Sequence, residues 1–108
     1  MSRLRPEDVA SYYKELNIRP ARGFFGDQVA KAACAVGVCH LRRGTSWSNL
    51  ETDDQDSLIT ALGLTVDYGY GFINGFDGEL LGALDERADP ESYALGYADG
   101  QETWKTVT

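Results

Sequence analysis

Residues 68–75 read YGYGFING, and residues 93–100, a fixed 25 positions later, read YALGYADG. Both stretches follow the pattern Tyr-x-x-Gly-aromatic-x-x-Gly, which spaces the aromatic pair and the glycine pair four residues apart. On an α-helix, residues four apart lie on one face, so each stretch would carry an aromatic strip beside a glycine strip. The repeated pattern therefore predicts two helices of the same design, over about 66–77 and about 90–105.

The first of these segments also fits a β-strand. Val66, Tyr68, Tyr70 and Phe72 alternate with polar residues or glycines, as in a half-buried strand. The helix is favoured because Phe76 extends the four-residue spacing of Tyr68 and Phe72. The pattern leaves the strand open as the alternative for this segment.

The four glycines of the pattern need an energetic explanation. A glycine in a helix costs about 1 kcal/mol relative to alanine, so each segment loses roughly 2 kcal/mol. Close approach of packed helices is the simplest compensation, and an alanine-rich second helix would complete a compact core. The alternative is a ligand pocket or a protein interface lined by Tyr68, Tyr70, Tyr93 and Tyr97, since tyrosine has an apolar ring and a polar tip.

The rest of the chain is also rich in helix signals. Pro6 is typical of a first helical turn, and Asp27 and Asp89 are typical of helix N-caps. With the spacing of the apolar residues, these signals predict helices over about 6–17, 27–43 and 90–105, a short helix ending at Gly63, one or two helical turns over 78–87 and a loop over 45–52. We therefore expect an all-α fold in which residues 1–108 form one domain, a compact bundle of four to five short helices with glycine- and alanine-rich contacts.

The charges are distributed unevenly along the chain. Ten Lys and Arg against seventeen Asp and Glu give a net charge of −7 and a pI near 4.5. Residues 1–44 carry a net charge of +4, and residues 45–108 carry a net charge of −11. This balance argues against direct nucleic-acid or anionic-membrane binding, which gains affinity by neutralising phosphates. It favours a protein partner with a basic surface, unless the basic helices pack against the acidic ones and cancel the asymmetry.

The sequence predicts a soluble, cytoplasmic protein with no membrane segment. No apolar run approaches the roughly 20 residues needed to cross a bilayer, and the N-terminus has no apolar stretch after its basic residues. Cys34 and Cys39 would point to different faces of a helix, so we expect neither a disulfide nor a zinc site. We expect both thiols to fill small spaces in the core and to stay reduced.

The sequence contains no recognisable catalytic constellation. His40 is the only histidine, and beside Arg42 and Arg43 it is interpreted as a cation at a helix end. No P-loop, dinucleotide fingerprint or nucleophile elbow is present. The acidic run over 53–56 lacks the glycine and the glutamate of a calcium loop, so it is interpreted as the start of a helix. We therefore expect neither an enzyme nor a bound cofactor or metal ion.

Three segments resemble a group of small, uncharacterised bacterial and phage proteins. They are Cys34-Ala-Val-Gly37, Leu62-Gly63-Leu64-Thr65 and the stretch from Tyr68 through Gly71, Phe72 and Gly75 to Phe76-Asp77-Gly78. The resemblance covers about residues 34–78, which is less than half of the chain. It implies an all-helical fold, and it implies no activity and no site.

The leading functional hypothesis is a small acidic module that binds another protein. One concrete version is a phage-type inhibitor whose acidic face occupies a basic, nucleic-acid-binding surface of its target. A small-ligand-binding domain that uses the tyrosine- and glycine-rich helices is the first alternative. A homodimer that buries Phe24, Phe25, Trp47 or Trp104 across a two-fold axis is the second.

Two carboxylates of the repeated segments each directly precede a glycine. Asp77 and Asp99 either share a polar site or act as ordinary caps and solvated charges, and the second interpretation is favoured. The candidate interaction residues are Glu51, Asp53, Asp54, Asp56, Trp47, Tyr68, Tyr70, Asp77, Tyr93, Tyr97 and Asp99.

Overall fold

The computed structural model describes residues 3–108, which form six α-helices, two short strands and one 3-10 turn. In chain order these are α1 (Pro6–Leu16), β1 (Arg19–Pro20), β2 (Ala32–Ala33), α2 (Ala35–Arg42), α3 (Trp47–Thr52), α4 (Gln55–Ala61), α5 (Val66–Asp77), the 3-10 turn (Leu84–Glu86) and α6 (Pro90–Val107). The two strands pair in parallel over two residues each. The predicted all-α fold is confirmed, with six helices where four to five are expected.

Capping residues determine where the two long helices of the repeated pattern begin and end. The Thr65 hydroxyl accepts a hydrogen bond from the Tyr68 amide at 3.3 Å, and the Asp89 carboxylate accepts one from the Ser92 amide at 3.2 Å. Gly78 ends α5 in the left-handed conformation, with a φ of 77°. The helix prediction for this part of the chain is confirmed, and the strand alternative is wrong.

The predicted helix over 27–43 is wrong in its first half. Asp27 caps only a single turn, in which its carboxylate accepts hydrogen bonds from the amides of Val29 and Ala30 at 3.0 and 3.2 Å. Lys31 then takes a φ of 52°, a left-handed conformation that stops a right-handed helix. The chain passes through β2 before α2 begins, so α2 is half as long as expected.

The predictions for two connecting segments also change. Residues 45–52, predicted as a loop, contain α3, because the Ser46 hydroxyl caps the Asn49 amide at 3.3 Å and Leu50 is buried in the core. Between α5 and α6, the expected one or two helical turns shrink to the single 3-10 turn. Leu80, which was expected to belong to these turns, is 89% exposed.

His40 is buried, although the sequence suggested a cation at a helix end. Its Nε2 atom lies 2.7 Å from the carbonyl oxygen of Leu58, and its Nδ1 atom lies 3.5 Å from the Thr45 hydroxyl. A ring nitrogen that faces a carbonyl oxygen at this distance carries the proton and donates it. His40 therefore links α2 to α4 by a buried hydrogen bond.

Helices α5 and α6 lie side by side and are packed through their glycines. A Cβ atom added to Gly71 would lie 2.1 Å from the carbonyl oxygen of Tyr93, and one added to Gly75 would lie 2.1 Å from that of Tyr97. Real Cβ contacts are essentially never shorter than 3.0 Å, so these positions accept only glycine at this helix separation. Successive glycines of α5 meet successive turns of α6, so the two helices run parallel.

The contact between the two helices is reciprocal. A Cβ atom added to Gly96 would lie 2.1 Å from the Tyr68 carbonyl oxygen, and one added to Gly100 would lie 2.2 Å from that of Phe72. Each copy of the repeated pattern thus places its glycines on the backbone of the other copy. The connector over 78–89 returns the chain to the beginning of α6, as a parallel pair requires. The predicted role of the glycines in close helix packing is confirmed.

Both cysteines belong to the core next to this pair. Cys34 and Cys39 are buried and free, and the Cys34 sulfur accepts a hydrogen bond from the Gly37 amide at 3.5 Å. Burial raises the pKa of each thiol to about 12, because the charged thiolate is poorly solvated there. The prediction that both residues fill space in the core as free thiols is confirmed.

We expect Cys34 and Cys39 to resist thiol reagents in the folded protein. The thiolate is the reactive species, and a pKa near 12 leaves a very small fraction of it at about pH 8, so labelling should be at least about 100-fold slower than for N-acetylcysteine. The measurement is labelling by a chromogenic disulfide reagent, with and without urea. Two thiols should react per unfolded chain, and rapid labelling without urea would contradict the buried placement.

Candidate functional site

The structure divides the candidate residues among three places. The first is an exposed surface where α3 meets α4, the second is the interior of the α5–α6 pair, and the third is a small cavity beside α5. The exposed surface holds Glu51, Asp53, Asp54, Asp56 and Tyr70. The interior of the α5–α6 pair holds Tyr68, Tyr93 and Asp99, and the cavity holds Asp77. Trp47 and Tyr97 are half-buried elsewhere.

The acidic surface, as we call it, consists of Glu51, Asp53, Asp54 and Asp56, and all four side chains are exposed. The four residues lie close together because only Asp53 and Asp54 separate the end of α3 from the beginning of α4. Asp56 lies in the first turn of α4, where a negative charge is favourable next to the helix N-terminus. The acidic run over 53–56 therefore starts a helix, as expected from the sequence, and together with Glu51 it presents four carboxylates to solvent.

Negative charge continues from the acidic surface toward the beginnings of α5 and α6. The Tyr70 hydroxyl donates a hydrogen bond to Asp56, and this bond, followed by burial, raises the pKa of Tyr70. Asp67 lies one turn before Tyr70 on the same face of α5, and its carboxylate accepts a hydrogen bond from the Asp89 amide at 2.6 Å. Since α5 and α6 are parallel, their N-termini share one end of the molecule, and this end concentrates carboxylates.

None of the basic residues among positions 3–44 forms an ion pair with the acidic surface. Residues 3–108 contain two ion pairs, Arg3–Asp99 and Arg42–Glu15, both with closest N–O distances of 2.9 Å. Neither pair includes a residue of the acidic surface, and one of them lies wholly within the basic part of the chain. Within residues 3–108, a single ion pair, Arg3–Asp99, therefore joins the basic part of the chain to the acidic part.

Asp99 and Tyr68 form a buried polar cluster that holds the beginning of the chain. Asp99 is 8% exposed and accepts hydrogen bonds from Arg3 Nε at 3.1 Å, Arg3 Nη2 at 2.9 Å and the Tyr68 hydroxyl at 2.6 Å. The Tyr68 hydroxyl in turn accepts a hydrogen bond from the Leu4 amide at 3.0 Å. Burial, and next the bond to Asp99, raises the pKa of Tyr68. The cluster fixes residues 3–4 against the α5–α6 pair.

The second copy of the repeated pattern contains a matching contact. The Asn74 side-chain amide donates a hydrogen bond to the Tyr93 hydroxyl at 2.7 Å. Here the tyrosine belongs to α6 and its partner to α5, whereas in the Tyr68–Asp99 contact the tyrosine belongs to α5 and its partner to α6. Asn74 and Asp99 are themselves 25 residues apart, so the offset of the pattern includes them. The sequence analysis did not single out Asn74, although this offset was the signal that could have found it. Tyr68, Tyr93 and Asp99 thus lie inside the pair.

The aromatic residues considered for a homodimer contact are mostly engaged within the chain. The Trp104 ring packs edge-on against Phe76, with ring centroids 5.2 Å apart, and the Arg22 guanidinium lies 3.9 Å from the centroid of the Trp104 ring. Phe25 and Trp47 are half-buried against the core. Phe24 alone of the four aromatic residues is exposed, at 43%.

Asp77 lies beside a cavity of about 170 Å³. Neither Tyr68 nor Tyr93 lines this cavity, so it is not the tyrosine-lined pocket considered above. Asp77 is half-buried, and its Oδ1 atom accepts a hydrogen bond from the Gly23 amide at 3.2 Å. Burial raises the pKa of Asp77 above the usual range of an aspartate, and its bond to Gly23 opposes this effect.

A scan against protein-family models, a search of curated proteins and a search of solved structures each return no match to this chain. Across residues 3–108, no three His, Cys, Asp or Glu side chains come together in a way that could hold a metal ion. None of the helices in the same residues combines the length and apolar character that a bilayer crossing requires. The functional argument therefore rests on the geometry and charge of the residues themselves.

Proposed function

We propose that this protein is an acidic binding module that docks on a basic surface of another protein. The observation that supports this function is the exposure of all four carboxylates of the acidic surface, none of which takes part in the ion pairs of residues 3–108. Like charges held next to one another repel, and a basic partner relieves this repulsion when it binds.

The rigid placement of the acidic surface favours binding over simple solvation. The Ser46 hydroxyl caps α3, and the contact between Tyr70 and Asp56 connects α4 to α5. A surface that is already ordered loses little conformational entropy on binding. The negative potential around the beginnings of α5 and α6 also accelerates the approach of a positively charged partner.

The target class that fits this surface is a protein that itself binds nucleic acid. Such proteins present grooves of Lys and Arg that neutralise phosphates. A row of carboxylates in such a groove competes with the phosphates for the same cations. The proposed consequence is inhibition of nucleic-acid binding by direct occupancy, without a chemical step and without a cofactor.

We expect neutralisation of the acidic surface to abolish capture of the partner. In the variant Glu51→Gln, Asp53→Asn, Asp54→Asn and Asp56→Asn, each side chain keeps its shape and a hydrogen-bonding oxygen, and only the charge changes. The wild-type chain, immobilised in a nuclease-treated lysate, should retain a basic protein at low salt and lose it at about 0.5 M salt, where the Debye length is a few ångströms. The purified partner should bind the variant at least about tenfold more weakly.

The matched control neutralises Glu7, Asp8, Glu79 and Glu102, which are also exposed but lie outside the acidic surface. This control has the same net charge as the test variant, so a nonspecific charge effect would weaken both variants equally. The purified partner should also lose its nucleic acid when the wild-type chain is added. Equal losses in the two variants, or capture that survives high salt, would reject the proposal.

A further inference from the structure

The cavity beside Asp77 adjoins the acidic surface at Gln55 but has a different chemistry. It lies between residues 23–25, the beginnings of α2 and α4, and α5. Its walls are mainly apolar, with Phe24 at 43% exposure, half-buried Phe25 and Ile73, and the buried Cys34. Its two side chains with strong hydrogen-bonding groups are those of Asp77 and Gln55. A cavity of about 150 Å³ is large enough to hold one benzene ring, so this one accommodates a ligand with a single ring.

Asp77 brings a carboxylate with spare hydrogen-bonding capacity into this apolar space. Its Oδ1 atom is bonded to the Gly23 amide, and within residues 3–108 its Oδ2 atom has no hydrogen-bond partner. A partly desolvated carboxylate gains more from a cationic partner than a solvated one does. The raised pKa of Asp77 is consistent with such an incompletely compensated position.

The nearest cation does not fill this role. Arg22 lowers the pKa of Asp77 by its charge, but it forms no ion pair with Asp77 in residues 3–108. Its Nε atom donates a hydrogen bond to the Phe76 carbonyl oxygen at 2.7 Å, and its guanidinium is stacked on the Trp104 ring. The Cys34 thiol at the wall is protonated and adds no charge. Asp77 thus lines the cavity without a cationic partner among residues 3–108.

We propose that this cavity binds a small primary amine in its ammonium form, with the ammonium group on Asp77 and one apolar ring against Phe24 and Phe25. An ammonium group has three donors, of which one can bond to Asp77 Oδ2 and another to the side-chain oxygen of Gln55. The aromatic walls favour both the ring, through apolar contact, and the cation, through the negative faces of their π-systems. A ligand in this position also covers the exposed part of Phe24.

The test is a titration of the isotope-labelled full chain with three probes of one shape and different charge. Benzylamine should bind saturably at millimolar concentration and shift the backbone amide signals of Gly23, Phe25, Gln55 and Asp77. Benzyl alcohol should bind about tenfold more weakly, because the charge-assisted hydrogen bond is lost, and benzoate should cause no saturable shift. Equal binding of the three probes, or no saturable binding of benzylamine, would overturn the proposal.

Two variants and one control assign the effect to residues. Asp77→Asn keeps an oxygen for the Gly23 amide and should weaken benzylamine to the level of benzyl alcohol, whereas Glu102→Gln, an exposed carboxylate that does not line the cavity, should leave the affinity for benzylamine unchanged. Phe24→Ala removes a half-exposed wall and should weaken benzylamine and benzyl alcohol alike, by severalfold each. Benzylamine affinity that is unchanged in both Asp77→Asn and Phe24→Ala would overturn the proposal even if one variant were less stable.

Discussion

Gly71→Ala should destabilise the protein by about 3 kcal/mol or more, although alanine is the better helix former. The added Cβ atom would lie 2.1 Å from the carbonyl oxygen of Tyr93, which belongs to the backbone and cannot rotate away. Relief requires α5 and α6 to move apart, which loosens the other glycine contacts and the buried bonds between the helices. In a thermal melt, a loss of this size corresponds to a fall in Tm of at least about 12 °C.

The sign of the change in the free energy of unfolding distinguishes the effect of close helix packing from the effect of helix propensity. Without the close contact, Gly71→Ala would stabilise the helix by about 1 kcal/mol. Ala98→Gly, at an exposed position of α6, measures the effect of helix propensity alone and should lower the free energy of unfolding by about 1 kcal/mol. A Gly71→Ala protein that is as stable as the wild type, or more stable, would mean that the two helices do not touch at this position.

Asp99→Ala should lower the free energy of unfolding by about 2 kcal/mol. The substitution removes the acceptor of the Tyr68 hydroxyl and leaves Arg3 without its ion-pair partner. The loss stays below that of a fully buried pair because the Arg3 side chain is 42% exposed and water can solvate it. Urea denaturation measures the loss, and hydrogen exchange at the Leu4 amide reports whether the beginning of the chain is released.

The control for this change is Glu102→Ala, which removes an exposed carboxylate from the same helix. It should change the stability little, since exposed charges without a partner contribute little. Arg3→Met should increase exchange at the Leu4 amide in the same way as Asp99→Ala, and the double variant should lose less than the sum of the two. If Asp99→Ala and Glu102→Ala were equally stable, the buried cluster would have no role in holding the chain.

Local signals determined which helices the sequence could predict. Thr65 and Asp89 cap helices whose aromatic and glycine strips agree with the caps, so their predicted beginnings hold to within one residue. Asp27 gives the same local signal, but there it closes only one turn. The difference depends on the pairing of β1 with β2, between residues more than ten positions apart, and on the left-handed Lys31. Such nonlocal contacts are not visible in a local pattern.

The candidate site was predictable to the same extent. The exposure of Asp53, Asp54 and Asp56 follows from a run of carboxylates at a helix start, which has no neighbouring apolar residues to bury it. The burial of Asp99 does not follow from its neighbours, because it depends on Arg3, 96 residues earlier in the chain. The cavity at Asp77 could not be predicted from the sequence either, since its walls come from four separate segments.

The arrangement on which the other conclusions depend is a parallel, glycine-packed helix pair that buries Tyr68, Tyr93 and Asp99 and leaves the acidic surface exposed to solvent. Proton–proton contacts measured by NMR on the full chain test it most directly. The account predicts contacts from the Gly71 Hα protons to Tyr93 and Tyr97, and from the Gly75 Hα protons to Tyr97 and Gln101, in that rising order. The reverse order, or no contact between these segments, would contradict the parallel pair and, with it, the placement of every candidate residue on α5 and α6.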